Sequence, residues 1–506
     1  MGVSSPGLWR TIAAFWVGAL VITGVGIGVA LAQPPAPDAA AAAIEQALVE
    51  AIARAEKSVV AIARVRKERP GEQVHWEPRL NPFGGQRLLP VPAPRPTDPD
   101  FSPNEFASGV VVDRQGLILT TYHVLGEESD YYISTPDRKV LRARVIAADP
   151  RSDLAVLAPD PSRMPGAGPG EWVPIALGDA AGLKKGQFVV ALGNPYAIAR
   201  DGQASASWGI VANLARKAPP VPDDVDLAGK STIHHFGTLI QTDAKLNVGS
   251  SGSPLVNLKG EMIGLVTAIP AVVGYQEAAG YAIPADAMFR RALEALKQGR
   301  EVEYGFLGIQ LGVTARSDPA QEAQGTRVER VMPGLPAARH GLRQGDLIMA
   351  VNNTPIRDPD ELVREISKLP LDAVAKLGVE RGERKLQLDV PLTKYRVRGR
   401  KIVTNWPPAW RGMRIDYATA VVEAFASSPL GGSPLGEAIA VTEVERGTPA
   451  WDAGLRPGML LSHVERAPVR TPKEFREAVS KKTGPVEVRV MGEGTEPGVR
   501  TIRPES

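Results

Sequence analysis

The C-terminal half of the chain contains an internal repeat. Residues 328–351 (VERVMPGLPAARHGLRQGDLIMAV) match residues 441–464 (VTEVERGTPAWDAGLRPGMLLSHV) at a constant offset of 113 residues. The coinciding residues are mostly glycine and proline: Gly334/Gly447, Pro336/Pro449, Gly341/Gly454, Leu342/Leu455 and Gly345/Gly458. A repeat of this kind predicts two homologous modules of about a hundred residues each.

Each copy of the repeat is followed by the same signal for the start of a helix. The signal reads DPDE at residues 358–361 and TPKE at residues 471–474. In both, a capping side chain precedes proline at the first helical position and glutamate at the third. We therefore expect two small α+β domains, at residues 302–394 and 408–506.

Short apolar segments rich in β-branched residues follow one another between residues 107 and 284. They include GVVVD, LILTT, ARVIA, LAVLA, FVVALG, IQTD, PLVN, EMIGLVTAI and GYAIP, with glycine or proline between them. This succession of short strands, without long helical patterns, is typical of an all-β barrel or sandwich. An amphipathic helix over residues 286–298 closes the unit, which we expect to span residues 44–299.

Two polar, proline-rich stretches interrupt this β-rich region. Residues 67–105 have no apolar periodicity, and residues 217–232 (KAPPVPDDVDLAGKST) separate two of the apolar segments. We expect both to be surface loops.

The N-terminal segment at residues 1–43 contains a candidate membrane anchor and a linker. Residues 11–32 follow Arg10 and carry no charged residue. These 22 residues are apolar enough and long enough to cross a bilayer as a helix. The segment also ends in ALA, which is typical of a signal-cleavage site. Retained anchor and cleaved signal both remain open, and both place the rest of the chain outside the cytoplasm.

Composition restricts the chemistry and the partners. The net charge is +3 with dispersed basic residues, which does not favour a nucleic-acid partner. The absence of cysteine excludes disulfides, thiolate metal sites and a cysteine nucleophile, and in an exported protein it favours a bacterial envelope. Neither a GxxxxGK[ST] motif nor a histidine pair at helical spacing occurs, so we expect no cofactor and no metal.

Only one of the six histidines is a good candidate for a general base. His123 follows an apolar strand in GLILTTYHVLG, and Asp153 begins another apolar strand in DPRSDLAVL. A histidine oriented by a carboxylate can activate a serine hydroxyl. The other five, His75, His234, His235, His340 and His463, are expected in loops or on the surface.

Three serines lie within the stretch LNVGSSGSPLV at residues 246–256. One of them could be a nucleophile for His123, but the stretch could equally be a glycine-serine turn. The residue pattern leaves this choice open.

Several motifs taken together resemble the HtrA/Deg family of envelope serine proteases, a branch of the chymotrypsin-like fold. They are ASGVVVDRQGLILTTYHVL, DPRSDLAVL, VVALGNP, QTDAKLNVGSSGSPLVN and GYAIP, followed by two PDZ-like modules. The resemblance covers about residues 44–506. It implies a mainly β fold in which a chymotrypsin-like double β-barrel precedes two small α+β PDZ-like domains.

The resemblance also implies the site residues. The family motif Gly-Asn-Ser-Gly-Gly-Pro falls on GSSGSP at residues 249–254, which makes Ser251 the nucleophile. His123 is then the general base and acid, Asp153 orients it, and the N–H groups of Gly249 and Ser251 form the oxyanion hole.

Two residues depart from the family motif. Ser250 replaces its asparagine and Ser253 replaces its second glycine. Neither change removes a reacting group, but both favour the alternative of a chaperone or peptide-sensing scaffold with a weak or dormant protease site.

The modules resemble PDZ domains at their carboxylate-binding loop. In YGFLGIQL at residues 304–311 the matching residues are Phe306, Leu307, Gly308 and Ile309, which implies capture of a peptide C-terminus as an added strand. In the second module, PAWRGMRI at residues 408–415 has Arg411 at the place of Leu307, so its capture is expected to be weaker. A module used only for packing or assembly is the alternative for both.

Family resemblance implies a broader role as well. It implies cleavage of unfolded envelope proteins without ATP and assembly as trimers or multiples of trimers. The pocket segment at residues 266–284 has no acidic residue at its apolar centre, which favours cleavage after small or medium aliphatic side chains.

Overall fold

The structure is a computed structural model. It describes residues 37–67, 74–81, 85–92, 105–160, 171–194, 202–218, 232–267, 280–312, 325–371, 373–421, 434–491 and 498–504. The apolar segment at residues 11–32, most of the insertion at 217–232 and the pocket residues 268–279 lie outside these ranges. None of the helices within them is long and apolar enough to cross a bilayer.

Residues 37–160 form one helix and eight strands. In chain order these are α1 (Pro37–Ala55), β1 (Val59–Arg66), β2 (Val74–Asn81), β3 (Gly85–Pro92), β4 (Glu105–Val111), β5 (Ile118–Thr121), β6 (Ser129–Ser134), β7 (Val140–Asp149) and β8 (Leu154–Pro159). Six of them pair in the order β7-β6-β1-β4-β5-β8, and β8 pairs back onto β7, which closes a barrel. Its interior is filled by alternate apolar residues such as Val60, Ile62, Ile118 and Ile133.

Strands β2 and β3 correct part of the loop prediction. Eight residue pairs join them as an antiparallel hairpin, from Val74↔Pro92 to Asn81↔Gly85. The stretch VHWEPRL does alternate between apolar and polar residues, but Pro78 within it and the two prolines of β3 obscured this two-residue period. Proline is compatible with a two-stranded ribbon because one edge of each strand needs no partner for its N–H groups.

Residues 171–299 form a second barrel and a helix. The elements are β9 (Phe188–Gly193), β10 (Ser205–Arg216), β11 (Leu239–Thr242), β12 (Pro254–Val256), β13 (Met262–Thr267), β14 (Gly280–Pro284) and α2 (Ala287–Lys297). The strands close in the order β10-β11-β14-β13-β12-β9. The prediction of a mainly β, double-barrel fold is therefore confirmed.

The largest hydrophobic core lies between the two barrels and helix α2. Leu119 comes from the first barrel, Leu192 and Leu265 from the second, and Phe289 and Leu293 from the helix. Helix α2 begins after Asp286, whose side chain accepts a hydrogen bond from the N–H of Phe289. This packing fixes the seam between the barrels.

The repeated modules share one topology. The first contains β15 (Gly305–Phe306), β16 (Ile309–Leu311), β17 (Thr326–Val331), α3 (Pro336–Arg339), β18 (Leu347–Val351), β19 (Thr354–Pro355), α4 (Pro359–Lys368), β20 (Val374–Arg381), β21 (Arg384–Pro391) and β22 (Thr393–Lys394). After β23 (Ile402–Val403), the second contains β24 (Met413–Tyr417), α5 (Ala418–Val421), β25 (Ile439–Val444), α6 (Pro449–Asp452), β26 (Leu460–Val464), β27 (Ala467–Pro468), α7 (Pro472–Val479), β28 (Val486–Met491) and β29 (Gly498–Ile502).

The sheet orders of the modules correspond strand for strand. The first is β16-β17-β18-β20-β21 with β19 on β18, and the second is β24-β25-β26-β28-β29 with β27 on β26. Asp358 and Thr471 cap helices α4 and α7 through the N–H groups of Glu361 and Glu474, as the sequence predicts. Between the modules, β23 pairs with β7, so the connecting chain extends the sheet of the first barrel.

Candidate active site

His123 lies at the end of a buried strand. Strand β5 ends at Thr121, and residues Tyr122–Val124 form a single 3₁₀ turn. Ile118 and Leu119 have no exposed surface, so they anchor the strand, while the His123 side chain remains 40% exposed. The imidazole is thus fixed at one side and open to solvent on the other.

Asp153 immediately precedes strand β8 and faces that imidazole. Its φ of 54° is in the left-handed region, which is uncommon for a residue with a side chain. Two backbone bonds hold it beside His123: the Tyr122 N–H donates to the Asp153 carbonyl at 2.9 Å, and the His123 N–H donates to Asp153 Oδ1 at 3.0 Å. Oδ2 of Asp153 lies 2.9 Å from His123 Nδ1.

Ser251 comes from the second barrel and completes the arrangement. Its Oγ lies 3.2 Å from His123 Nε2, and the residue is only 8% exposed. Because Nδ1 faces a carboxylate, the neutral ring carries its proton there and leaves Nε2 free to accept from the serine hydroxyl. The structure therefore brings His123, Asp153 and Ser251 within hydrogen-bonding distance across the seam.

The electrostatics of the histidine–aspartate pair favour a charged imidazole. Burial alone lowers the pKa of His123, but the charge and hydrogen bond of Asp153 outweigh it, so the pKa is raised above its usual value. Burial raises the pKa of Asp153, but His123 outweighs that effect, and the pKa is lowered. The site therefore stabilises the imidazolium that forms when a serine gives up its proton.

The turn before Ser251 is held by hydrogen bonds within the turn and from the first barrel. The N–H of Ser250 donates to the carbonyl of Asn247 at 3.0 Å, and Gly249 has a φ of 95°, which favours glycine. Ser108 in β4 donates its hydroxyl to the Gly249 carbonyl at 2.9 Å, and its N–H donates to the Ser251 carbonyl at 2.9 Å. The backbone of the turn is therefore oriented from both barrels.

The two residues that depart from the family motif differ in their environment. The Ser250 hydroxyl accepts a hydrogen bond from the N–H of Asn247 at 3.2 Å, so it belongs to the turn. Ser253 is 1% exposed, and within the described part of the chain its hydroxyl has no hydrogen-bond partner. Neither side chain separates Ser251 from His123.

Two buried residues near Asp153 were not singled out by sequence reasoning. Thr267, at the end of β13, donates its hydroxyl to Asp153 Oδ2 at 3.0 Å. His234 donates from Nε2 to the Ser152 carbonyl at 2.9 Å, and its Nδ1 lies 2.8 Å from the Thr238 hydroxyl. Burial lowers the pKa of His234 and keeps the ring neutral.

The expectation that the adjacent histidines lie in a loop or on the surface is wrong, because both are buried in a short helix. Both His234 and His235 are 4% exposed and lie in the 3₁₀ helix Ile233–Phe236, which packs under the site. The only sequence signal was apolar: Ile233 and Phe236 flank the pair, and a buried strand follows. Two adjacent polar histidines beside a polar insertion are more typical of a loop, so this apolar signal was too weak to predict burial.

The loop of the first module has the geometry needed for a close backbone turn. Phe306 ends β15, Leu307 is buried, and Ile309 begins β16. Gly308 has a φ of 83°, and a β-carbon there would lie 2.4 Å from Cβ of Leu335. Glycine is therefore required at this position, because any side chain would clash with Leu335.

The equivalent loop of the second module is clamped by an arginine. The N–H and carbonyl groups of Trp410 and Met413 bond each other, which closes a two-residue turn over Arg411 and Gly412. The buried guanidinium of Arg411 donates to three carbonyls, those of Ile502, Lys482 and Gly484. Arg411 thus ties the loop to the end of β29 and to the segment between α7 and β28.

Matches to family models cover both kinds of domain. Residues 107–265 match a trypsin-like peptidase domain, and residues 305–392 match a PDZ domain. In the part of the chain that the structure describes, no group of three or more histidine, aspartate or glutamate residues could hold a metal ion.

Curated relatives match over most of their length. The putative serine protease HhoA of Synechocystis sp. is 32% identical over 385 residues, which is 72% of this chain and 89% of that protein. The periplasmic pH-dependent serine endoprotease DegQ of Escherichia coli is 30% identical over 448 residues, or 86% and 88% of the two chains. A solved structure of the HtrA-type protease AlgW with a tripeptide aligns at 23% identity with a TM-score of 0.48, covering 68% of this chain and 96% of that one.

The two barrels and the trypsin-like peptidase match define a serine endopeptidase of the trypsin-like class. The chain belongs to the HtrA/Deg family of serine proteases, since the two curated relatives span most of its length. Both are named as proteases, which favours the protease over the alternative of a scaffold with a dormant site.

Proposed function

We propose that Ser251 is the nucleophile of a catalytic triad completed by His123 and Asp153. Ser251 Oγ attacks the carbonyl carbon of the scissile peptide bond while His123 Nε2 takes its proton. The same imidazolium then protonates the leaving amine, and a water molecule repeats the cycle to release the acyl group. The observation that carries this proposal is the 3.2 Å contact between Ser251 Oγ and His123 Nε2.

The N–H groups of Gly249 and Ser251 stabilise the oxyanion in this proposal. Charge develops on the substrate carbonyl oxygen in the transition state, and each such donor contributes roughly 10²–10³-fold to the rate. The left-handed backbone of Gly249 and the bonds from Ser108 support this role, because they hold the turn before substrate arrives.

Replacement of the proposed nucleophile tests the assignment. Ser251→Ala should abolish casein hydrolysis and labelling by a fluorophosphonate while leaving the thermal unfolding temperature unchanged within a few degrees. Ser129→Ala removes a hydroxyl at the start of β6 that donates a solvent-exposed hydrogen bond to the carbonyl of Glu127, away from the proposed triad, and should retain full activity. Undiminished turnover in the Ser251 variant would refute the triad.

The first PDZ module is proposed to bind peptide C-termini or exposed strands of unfolded substrates. Its loop at Phe306, Leu307, Gly308 and Ile309 leads directly into the short strand β16, beside which a peptide can add as a further strand. A fluorescent peptide with a free C-terminal carboxylate should bind, and its amidated form should bind at least about tenfold more weakly. Equal affinity would argue against carboxylate capture.

An extracytoplasmic location is proposed as well. Relatives are named periplasmic serine endoproteases, and residues 11–32 carry the sequence signal of an anchor or signal peptide. Retention of those residues would make the protein membrane-anchored, and intact-mass analysis of membrane and soluble fractions tests this.

Assembly as a homotrimer or a multiple of it remains part of the proposal, and mass photometry at nanomolar concentration tests it.

A further inference from the structure

The residues just before Asp153 form a buried turn that closes on the side chain of Asp149. Asp149 is 2% exposed, and its Oδ2 accepts from the N–H of Ser152 at 2.9 Å and from the hydroxyl of Ser152 at 2.6 Å. The Ser152 carbonyl, which belongs to the peptide group of Asp153, accepts from His234. The left-handed backbone of Asp153 is therefore held by the polar contacts of this turn.

A third donor to Asp149 comes from outside the protease barrels. The hydroxyl of Tyr304 lies 2.5 Å from Asp149 Oδ2, and Tyr304 has no exposed surface. These two residues are 155 positions apart, and Tyr304 lies between helix α2 and the proposed peptide-binding loop that begins at Phe306. Within the described residues, the other carboxylate oxygen, Oδ1, has no hydrogen-bond partner.

Arg151, which belongs to the same turn, packs against two aromatic residues, Tyr304 before the first module and Tyr395 after it. Arg151 is 2% exposed, and its guanidinium carbon lies 3.9 Å from the ring centroid of Tyr395 and 5.2 Å from that of Tyr304. The N–H of Tyr395 donates to the carbonyl of Tyr304 at 2.7 Å, which joins the two aromatic residues. Burial of the arginine beside two aromatic faces is a strong cation–π arrangement.

We infer that Tyr304, acting through Asp149, is a positioning residue that holds the carboxylate of Asp153 opposite His123. The inference rests on the proposed triad. Tyr304 touches no reacting atom; its hydroxyl fixes Asp149, Asp149 fixes the Ser152 backbone, and that backbone sets the direction of the Asp153 side chain. The protease site is therefore completed by a residue of the connection to the first PDZ module.

Tyr304 should affect the rate because proton transfer between Ser251 and His123 requires the catalytic groups to be placed accurately. A residue with positive φ keeps that conformation only when its surroundings enforce it. Loss of one of three donors to a buried carboxylate allows the turn to relax, and a shift of about 1 Å at a catalytic group can cost about 10²-fold. Loss of the Tyr304 hydroxyl alone should lower the rate by less than about 10²-fold, because the two donors from Ser152 remain.

The test is Tyr304→Phe in the full-length protein, with Tyr132→Phe in β6 as the matched control. Kinetics on a peptide substrate are normalised to the fraction of sites labelled by a fluorophosphonate. We expect kcat to fall about tenfold with KM changed less than about twofold. We also expect the acid limb of kcat/KM to move to lower pH, because an Asp153 carboxylate held farther away raises the pKa of His123 less. Tyr132→Phe should match the wild type.

A second variant separates positioning from general stability. Asp149→Ala removes the acceptor of Tyr304, so the double variant should lose no more kcat than Asp149→Ala alone. A fall in the unfolding temperature of Tyr304→Phe with kcat and the acid limb unmoved would mean a merely structural role and overturn the inference. An inactive and unlabelled wild type would instead overturn the proposed triad, so the two failures are distinguishable.

Discussion

The side-chain hydroxyl of Ser108 donates a hydrogen bond of 2.9 Å to the carbonyl oxygen of Gly249. Ser108 lies in the first barrel, has no exposed surface, and also accepts a bond from the N–H of Asn194 at 3.0 Å. One small side chain thus connects the first barrel to the turn that carries the proposed oxyanion hole. Since this turn must be ordered before the transition state, Ser108 should matter more for kcat than for KM.

Ser108→Ala removes both side-chain bonds and keeps the backbone bond to Ser251. We expect kcat to fall about tenfold or more, because an oxyanion donor contributes roughly 10²–10³-fold and Ser108 only orients one. Stability should fall by about 1–3 kcal/mol, since a buried carbonyl and a buried N–H lose their partner. Steady-state kinetics and urea unfolding measure the two effects. An unchanged kcat in the folded variant would show that the turn orders itself without Ser108.

The acid limb of the pH–rate profile should report His123. Only the neutral imidazole can accept the serine proton, so kcat/KM rises as pH rises through its pKa. Since Asp153 raises that pKa, the midpoint should lie above about 6.5. Asp153→Asn removes the negative charge, so the remaining limb should move to lower pH and kcat should fall by about 10⁴-fold. A midpoint at or below the usual histidine value in the wild-type protein contradicts this electrostatic account.

The two serines that depart from the family motif should respond oppositely to alanine. Ser253→Ala removes a buried hydroxyl that has no partner among the described residues, so we expect a gain of about 1 kcal/mol and retained activity. Ser250→Ala removes the acceptor for the N–H of Asn247, so we expect a loss of about 1 kcal/mol and a lower kcat. Calorimetry measures the stability of the two variants, and peptide hydrolysis measures their activity. Equal effects of the two substitutions would contradict this prediction.

Lys394 is a buried cation that joins three segments of the chain through a cluster of charges. It is 3% exposed, and its Nζ lies 2.9 Å from Glu301, 3.3 Å from Glu303 and 2.7 Å from Asp416. Burial alone lowers the pKa of Lys394, but the three carboxylates outweigh it and raise the pKa, so the side chain stays charged. The cluster connects the end of the protease region to the first strand of the second module.

Replacement of this lysine should loosen the attachment of the second module. Lys394→Met removes the cation that the three carboxylates share, but Glu301 keeps Lys401 at 2.5 Å and the Glu303 side chain is 47% exposed. We therefore expect a loss of about 1–3 kcal/mol, less than for a fully buried pair. Lys385→Met is the matched control because the Lys385 side chain is 87% exposed and lies 3.7 Å from Glu380, where such a pair contributes little. Hydrogen exchange of strand β24 should increase in the first variant only. Equal exchange in both variants would contradict a structural role for the cluster.

Much of the architecture was predictable from local signals. The offset of the repeat predicts two modules, and their strand orders agree. His123 and Asp153 could be singled out because each adjoins an apolar strand, while Ser251 required the family motif. The hairpin at residues 74–92 was missed because its prolines obscured a period of two.

The sequence by itself determined most of the elements of this protein: the short strands of a β-rich region, the repeated modules with their capped helices, and His123 and Asp153 as candidate reacting residues. Only the tertiary structure decided which polar groups support Asp153, namely Thr267, His234 and the pair Asp149–Tyr304. Periodicity records which face of a strand is buried, because that depends on neighbours two or four residues away. A hydrogen bond between residues 155 positions apart leaves no such local pattern, since it depends on how separately folded segments pack.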